Sequence, residues 1–206
     1  MRTALLHLDS ALTGQRELAR SVSGRGGRAV DLRRLGPALR LWSRPRALER
    51  LRARVASDLP ASEGATLVFS GSGDFHHITP TLLDRACEAA GRPPVTVLHF
   101  DNHPDWVRFA NGAHCGSWVG CAARLPNVAR VVTVGVCSDD IDRPETKRAD
   151  LDLLSEERLE LYPYSAPRGG ASVSLAGREW PTIEAMGEAA FIEFLPSHLK
   201  TSAVSL

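Results

Sequence analysis

The sequence predicts an α/β protein with a three-layer αβα arrangement around a mostly parallel sheet, and three observations carry that prediction. β-Branched and apolar runs recur at Thr66–Phe69, Val95–Phe100 and residues 131–136, helix-like segments lie between them, and Gly and Pro punctuate the junctions. Strands that alternate with helices build βαβ units. A near-continuous apolar strand is one buried on both faces of a parallel sheet.

The elements follow in order. Residues 5–8 are a short apolar strand, and residues 27–32 a weaker one after the Ser23-Gly24-Arg25-Gly26 turn. A helix pattern runs over residues 45–56 and stops at Leu59-Pro60. The strand Thr66–Phe69 breaks into Ser70-Gly71-Ser72-Gly73-Asp74, and a helix begins near Thr79-Pro80, where Thr suits a cap and Pro the first turn. After the strand Val95–Phe100, the loop from Asn111 to Gly116 leads into an apolar helix through Val119 and Ala123. The strand at 131–136 ends in the acidic Ser138-Asp139-Asp140-Ile141-Asp142 loop. Residues 151–161 read as helix and then strand, residues 183–194 as one helix closed by Pro196, and residues 202–206 as a strand that stops abruptly.

Composition narrows the function classes. With 206 residues the chain is long enough for one α/β domain, and residues 1–206 are read as that single domain. A formal charge of +1 leaves no whole-chain footprint for nucleic acid or an anionic membrane. The local basic stretch holding Arg40, Arg44, Arg46, Arg50 and Arg52 lacks an aromatic platform and reads as a solvated helix face. Cys87, Cys115, Cys121 and Cys137 have no paired spacing, so reduced thiols and a cytoplasmic location are expected. No segment approaches the ~20 continuous apolar residues of a membrane span. The expected partner is a small-molecule substrate, and a homo-oligomer is left open.

The chemistry concentrates in Asp101-Asn102-His103-Pro104-Asp105, directly after an apolar strand. Side chains two apart on an extended chain point the same way, so Asp101, His103 and Asp105 are expected to converge beyond the strand's C-terminal end. That end is where open α/β sheets bind ligands. Gly73-Asp74-Phe75-His76-His77 and Asn111-Gly112-Ala113-His114-Cys115-Gly116 occupy similar junctions, so the three elements are expected on one rim. Imidazoles and carboxylates together suit a borderline divalent metal, and a bridging carboxylate such as Asp101 would let two ions sit ~3.5–4 Å apart.

In this order the motifs resemble those of the arginase and agmatinase family, the ureohydrolases, whose fold is shared with histone deacetylases. The family pattern is Gly-Gly-Asp-His, then Asp-Ala-His-x-Asp, then His-Gly, then a later Asp-x-Asp. Asp101, His103 and Asp105 match the second element closely, and His114 with Gly116 one residue late matches the third. The first is approximate, because Phe75 separates Gly73-Asp74 from His76 and His77; His76 is the expected ligand and His77 the alternate. The fourth element is absent, so the chain resembles the N-terminal two thirds of the family fold, cut before the last Asp-x-Asp. The motif-level resemblance spans roughly residues 65–140.

The resemblance implies an arginase/deacetylase-like fold and a dinuclear-metal hydrolase that cleaves a C–N bond of a guanidino, amidine or related amide substrate by metal-bound hydroxide. Two Mn²⁺ ions are implied, with His76, Asp101 and Asp105 on one and Asp101 with His103 on the other. His114 would shuttle a proton to the leaving amine. With the last two ligands absent, weak metal occupancy and little turnover are expected of this chain. Two alternatives are a dinuclear metallophosphoesterase and a non-catalytic arginase-fold protein. His7-Leu8-Asp9 reverses the early Asp-x-His that the first would want.

Other residues have plainer readings. Asp74 is expected to cap a helix or fix the glycine turn, Asp139, Asp140 and Asp142 to be solvated or capping, and Trp106 to anchor the core. His99, in mid-strand, reads as a buried histidine and not a ligand. Gly71-Ser72-Gly73 lacks a nucleophile elbow. Cys115 beside His114 in sequence does not amount to a spatial Cys–His pair.

Overall fold

Parallel ladders dominate the architecture, as the alternation of strands and helices predicts. In this computed structural model the described residues are 1–59, 65–87, 94–199 and 203–205. In chain order the elements are β1 (Arg2–His7), α1 (Arg16–Gly24), β2 (Arg28–Asp31), α2 (Gly36–Leu39), β3 (Trp42–Ser43), α3 (Pro45–Asp58), β4 (Thr66–Phe69), α4 (Thr79–Cys87), β5 (Val95–Phe100) and β6 (Ala113–His114). There follow α5 (Trp118–Ala123), β7 (Val128–Val136), α6 (Asp152–Ser155), β8 (Leu159–Pro163), β9 (Ser172–Leu175), β10 (Arg178–Pro181), α7 (Ile183–Met186), α8 (Glu188–Leu199) and β11 (Ala203–Ser205). The chain is mixed α/β. It divides into two compact units, residues 1–92 with 109–118, and residues 93–108 with 119–206.

The first unit is built on a three-stranded parallel sheet of order β2-β1-β4. Its two faces follow from the strand period of two. Leu5 packs with Leu12 and Val22, against the Leu18 and Ala19 face of α1. Leu6, next in sequence, points the other way and packs with Leu39, Leu51, Val55 and Ile78 from the opposite layer of helices. α1 starts and ends without side-chain caps, so its apolar stripe holds it to the sheet. α3 has Pro45 in its first turn, the position where a missing N–H costs nothing, and closes at Leu59. Pro60 lies outside the described residues.

The second unit carries a four-stranded parallel sheet of order β11-β5-β7-β8. β5 is buried over Val95 to His99, as its apolar run predicts. Leu98, Val132, Val134 and Tyr162 form one face, covered by Ile183, Phe191 and Leu199. The helix expected over residues 183–194 is instead two helices. Gly187, at φ +84°, separates α7 from α8, a backbone turn that glycine makes without a Cβ penalty. α8 then runs through Pro196 to Leu199 and does not close at the proline. β9 and β10 form a hairpin whose two loop residues, Ala176 and Gly177, both have positive φ, as a type I′ connection demands. No helix among the described residues is long and apolar enough to cross a membrane.

The three motif-bearing junctions do not sit on one hydrogen-bonded sheet among the described residues. β4 leads into the first element and β5 into the second, and these strands belong to different ladders. The third element lies on β6, which pairs antiparallel with β3.

Candidate functional site

In the second unit, β5 delivers its polar residues at the end where ligand sites form in α/β sheets. His99 and Asp101, two apart, share a face. His99 Nε2 lies 3.5 Å from Asp101 Oδ2 and 3.7 Å from Asp105 Oδ2. The His99 and Asp105 side chains are 6% and 4% exposed and that of Asp101 is 26% exposed, so the cluster is buried at His99 and Asp105 and open to water at Asp101. His99 Nδ1 sits 3.2 Å from the hydroxyl of Thr133, its register partner on β7 and itself buried.

This geometry corrects the expected convergence of Asp101, His103 and Asp105. The chain does not stay extended past Asp101. The Asp101 carboxylate accepts the His103 backbone N–H at 3.0 Å, an Asx turn that swings His103 outward. The His103 side chain is 55% exposed, with its Nδ1 3.8 Å from Asp101 Oδ1. Asp105 returns to the cluster because its backbone turns at φ +49°, a left-handed conformation that Asp tolerates better than most residues. Period two therefore holds backward from Asp101, to His99, and fails forward. Asn102 Oδ1 accepts the thiol of Cys137 at 2.8 Å and ties this turn to the end of β7.

Beside Asp101 lies a shallow depression of about 390 Å³, wide open to solvent. Phe100, Ile183, Phe191 and Ile192 give it apolar walls, with Tyr164 and Glu188 also lining it. The Tyr164 hydroxyl donates to Glu188 at 2.9 Å. That bond raises the Tyr164 pKa and keeps the phenol protonated.

In the first unit the two adjacent histidines part company. His76 Nε2 lies 3.1 Å from the Cys115 carbonyl. A carbonyl can only accept, so Nε2 bears the proton and Nδ1 the lone pair, the arrangement that metal-ligating histidines adopt. His77 is fully buried, with Nε2 2.8 Å from the Ser43 hydroxyl and Nδ1 3.8 Å from the Cys115 thiol. Burial, aided by the neighbouring His76 ring, lowers its pKa to about 4. Both His77 nitrogens are thus engaged within the unit.

His114 caps the short turn Cys115–Ser117. Its Nδ1 accepts the Gly116 N–H at 3.0 Å, its own N–H donates to the Ser117 hydroxyl at 2.9 Å, and the Phe109 ring meets it edge-on at 4.7 Å. With Nδ1 accepting, the proton of the neutral ring is on Nε2. Burial lowers its pKa, so it is a neutral donor around pH 7. The loop is fixed in place by Gly112: at φ +126° a Cβ there would lie 1.8 Å from the Ser43 carbonyl oxygen.

The remaining candidates take structural roles. Asp74 accepts Arg40 Nε at 2.7 Å and stabilises the turn by an ion pair, not by capping. Cys115 meets His77 and not His114. Because His77 stays unprotonated at neutral pH, it supplies no imidazolium to favour the thiolate. Asp140 accepts from Ser138 and faces Lys147 at 3.3 Å, while Asp142 pairs with Arg168, as a solvated loop would. Trp106 is 1% exposed and Asn111 is exposed.

No family model and no solved structure matches the chain. An uncharacterized protein of Thermotoga maritima is 35% identical over 77 residues. The match covers 37% of this chain and 29% of that protein, so the chain spans under a third of the relative's length.

Proposed function

We propose that the chain carries a divalent-metal site of the ureohydrolase kind, in a three-layer arginase/deacetylase-like fold, and that it serves hydrolysis of a C–N bond in a guanidino, amidine or related amide substrate. The observation that carries this reading is the meeting of Asp101 and Asp105 at His99 Nε2, beyond the end of a parallel strand. Carboxylate oxygens together with imidazole nitrogens are the donor set that Mn²⁺ and other borderline divalent ions take. His76 is kept as the proposed imidazole ligand of the ureohydrolase pattern. His103 is proposed for a second ion beside Asp101. When bound, such ions supply Lewis acidity and a water of lowered pKa.

The chain's own residues would do the rest. Asp101 and Asp105 hold negative charge at the strand end. The apolar walls of Phe100, Phe191 and Ile192 fit an alkyl segment, and Glu188 offers a carboxylate to a cationic end. His114, a neutral ring with Nε2–H outward of its cap, would pass a proton to the leaving amine. A cytoplasmic setting goes with free thiols at Cys121 and Cys137.

The test is release of urea or amine from a panel of guanidino and amidine compounds in the presence of Mn²⁺. Turnover that vanishes in Asp101→Ala supports the reading. Turnover that Asp101→Ala leaves unchanged overturns it.

A further inference from the structure

His99 reads from the sequence as a buried histidine and not a ligand, yet its surroundings specify more than burial. Its ring is threaded between a hydroxyl and two carboxylates, all within the second unit. Thr133 lies across the β5–β7 ladder from it, fully buried, with Oγ1 3.2 Å from His99 Nδ1. On the other side Nε2 faces Asp101 Oδ2 and Asp105 Oδ2 at 3.5 and 3.7 Å.

The tautomer follows from the charges. A lone pair on Nε2 would point at two anionic oxygens with little water to screen them, which costs free energy. A proton on Nε2 instead points a donor between them, and Thr133 then completes the line by donating its hydroxyl hydrogen to Nδ1. Nε2 therefore carries a proton. A hydroxyl that can rotate makes this the consistent arrangement without any change of backbone.

We propose that His99 is a positioning residue: it aims the Asp101 and Asp105 carboxylates together, through Nε2–H, so that their outward oxygens act as one metal-ligand pair. This rests on the metal reading given above. Two carboxylates near each other repel, and a shared donor offsets that repulsion before any cation arrives. Asp105 in particular reaches the cluster by a positive-φ turn at the end of a loop, a placement that needs an anchor. Side chains that orient metal-binding groups typically change affinity by roughly 10- to 100-fold when removed.

The experiment is Mn²⁺ titration of the full chain, followed by the electron paramagnetic resonance signal of free ion, on wild type, Asp101→Asn, His99→Phe, His99→Gln and Thr133→Val. His99→Phe is expected to bind roughly 10- to 100-fold more weakly. His99→Gln, whose amide N–H can reach the place of Nε2, should recover part of that loss. Thermal midpoints in EDTA should not follow the same order, because the donor matters to the ligands and not to the sheet. Loss of binding in Asp101→Asn with unchanged affinity in His99→Phe overturns the positioning role and leaves the metal reading standing. Equal loss in His99→Phe and His99→Gln, tracking their thermal midpoints, also overturns it. Mn²⁺ binding that Asp101→Asn leaves intact overturns the metal reading itself. Should His99→Phe fail to fold, Thr133→Val decides: weaker binding supports the proposal, and wild-type affinity refutes it.

Discussion

Burial of His77 makes the stability of the metal-free protein depend on pH in a calculable way. The ring is fully buried against Ser43 and Cys115, and burial holds its pKa at about 4 against an ordinary 6.5. The folded state therefore binds this proton less readily than the unfolded state. Its contribution to stability is complete above pH 6.5 and is lost as pH falls from 6.5 towards 4. At ~1.4 kcal/mol per pH unit over that window, the loss is at most roughly 3 kcal/mol. Urea unfolding of wild type and His77→Gln in EDTA isolates the group, because the carboxylates and the other histidines titrate in both. At pH 7.5 the variant should be less stable by about 1–3 kcal/mol, since the buried Ser43 hydroxyl loses the closer of its two partners and keeps the Leu39 carbonyl. By pH 4 that gap should shrink by as much as roughly 3 kcal/mol. A gap that stays constant across the range would refute the buried, neutral assignment of His77.

Further predictions follow from single positions. Gly112→Ala should destabilise by more than ~2 kcal/mol in urea unfolding, because the left-handed backbone and the 1.8 Å approach to the Ser43 oxygen both reject a Cβ. Phe191→Ala, which empties the layer over Leu98, Val132 and Tyr162, should cost about 3–5 kcal/mol in the same assay. Ala176→Gly should be neutral or stabilising by up to ~1 kcal/mol, since Ala176 sits at φ +49° in the hairpin turn, and a shift of the thermal midpoint would measure it.

Much of the fold was legible because apolar runs and glycine breaks are strong signals. Thr66–Phe69 and Val95–Phe100 are strands with the expected bounds, and Thr79 and Trp118 begin the expected helices. α1 was not, since its stripe of Leu18, Ala19 and Val22 is short and embedded among Arg, Glu and Ser. The β9–β10 hairpin was hidden by its turn: Ala176 stands where Asn or Asp would announce a type I′ connection. Val173 and Leu175, with Trp180 opposite, carried the alternation that could have found it.

At the candidate site the residue types were legible and the local geometry was not. Alternation forward from Asp101 runs through a segment that an Asx turn bends, and so favours His103. Applied backward along β5, where the chain is extended, the same rule reaches His99. Tertiary contacts that spacing does not reveal distinguish the two adjacent histidines: His76 donates to the Cys115 carbonyl, while His77 is locked between Ser43 and Cys115.

The most direct test of the metal reading is the stoichiometry and affinity of Mn²⁺ on the intact chain by isothermal titration calorimetry, with Asp101→Asn and Asp105→Asn as controls. The account predicts saturable binding that both substitutions abolish or weaken at least tenfold. No saturable binding, or binding that both variants retain at wild-type affinity, would contradict it.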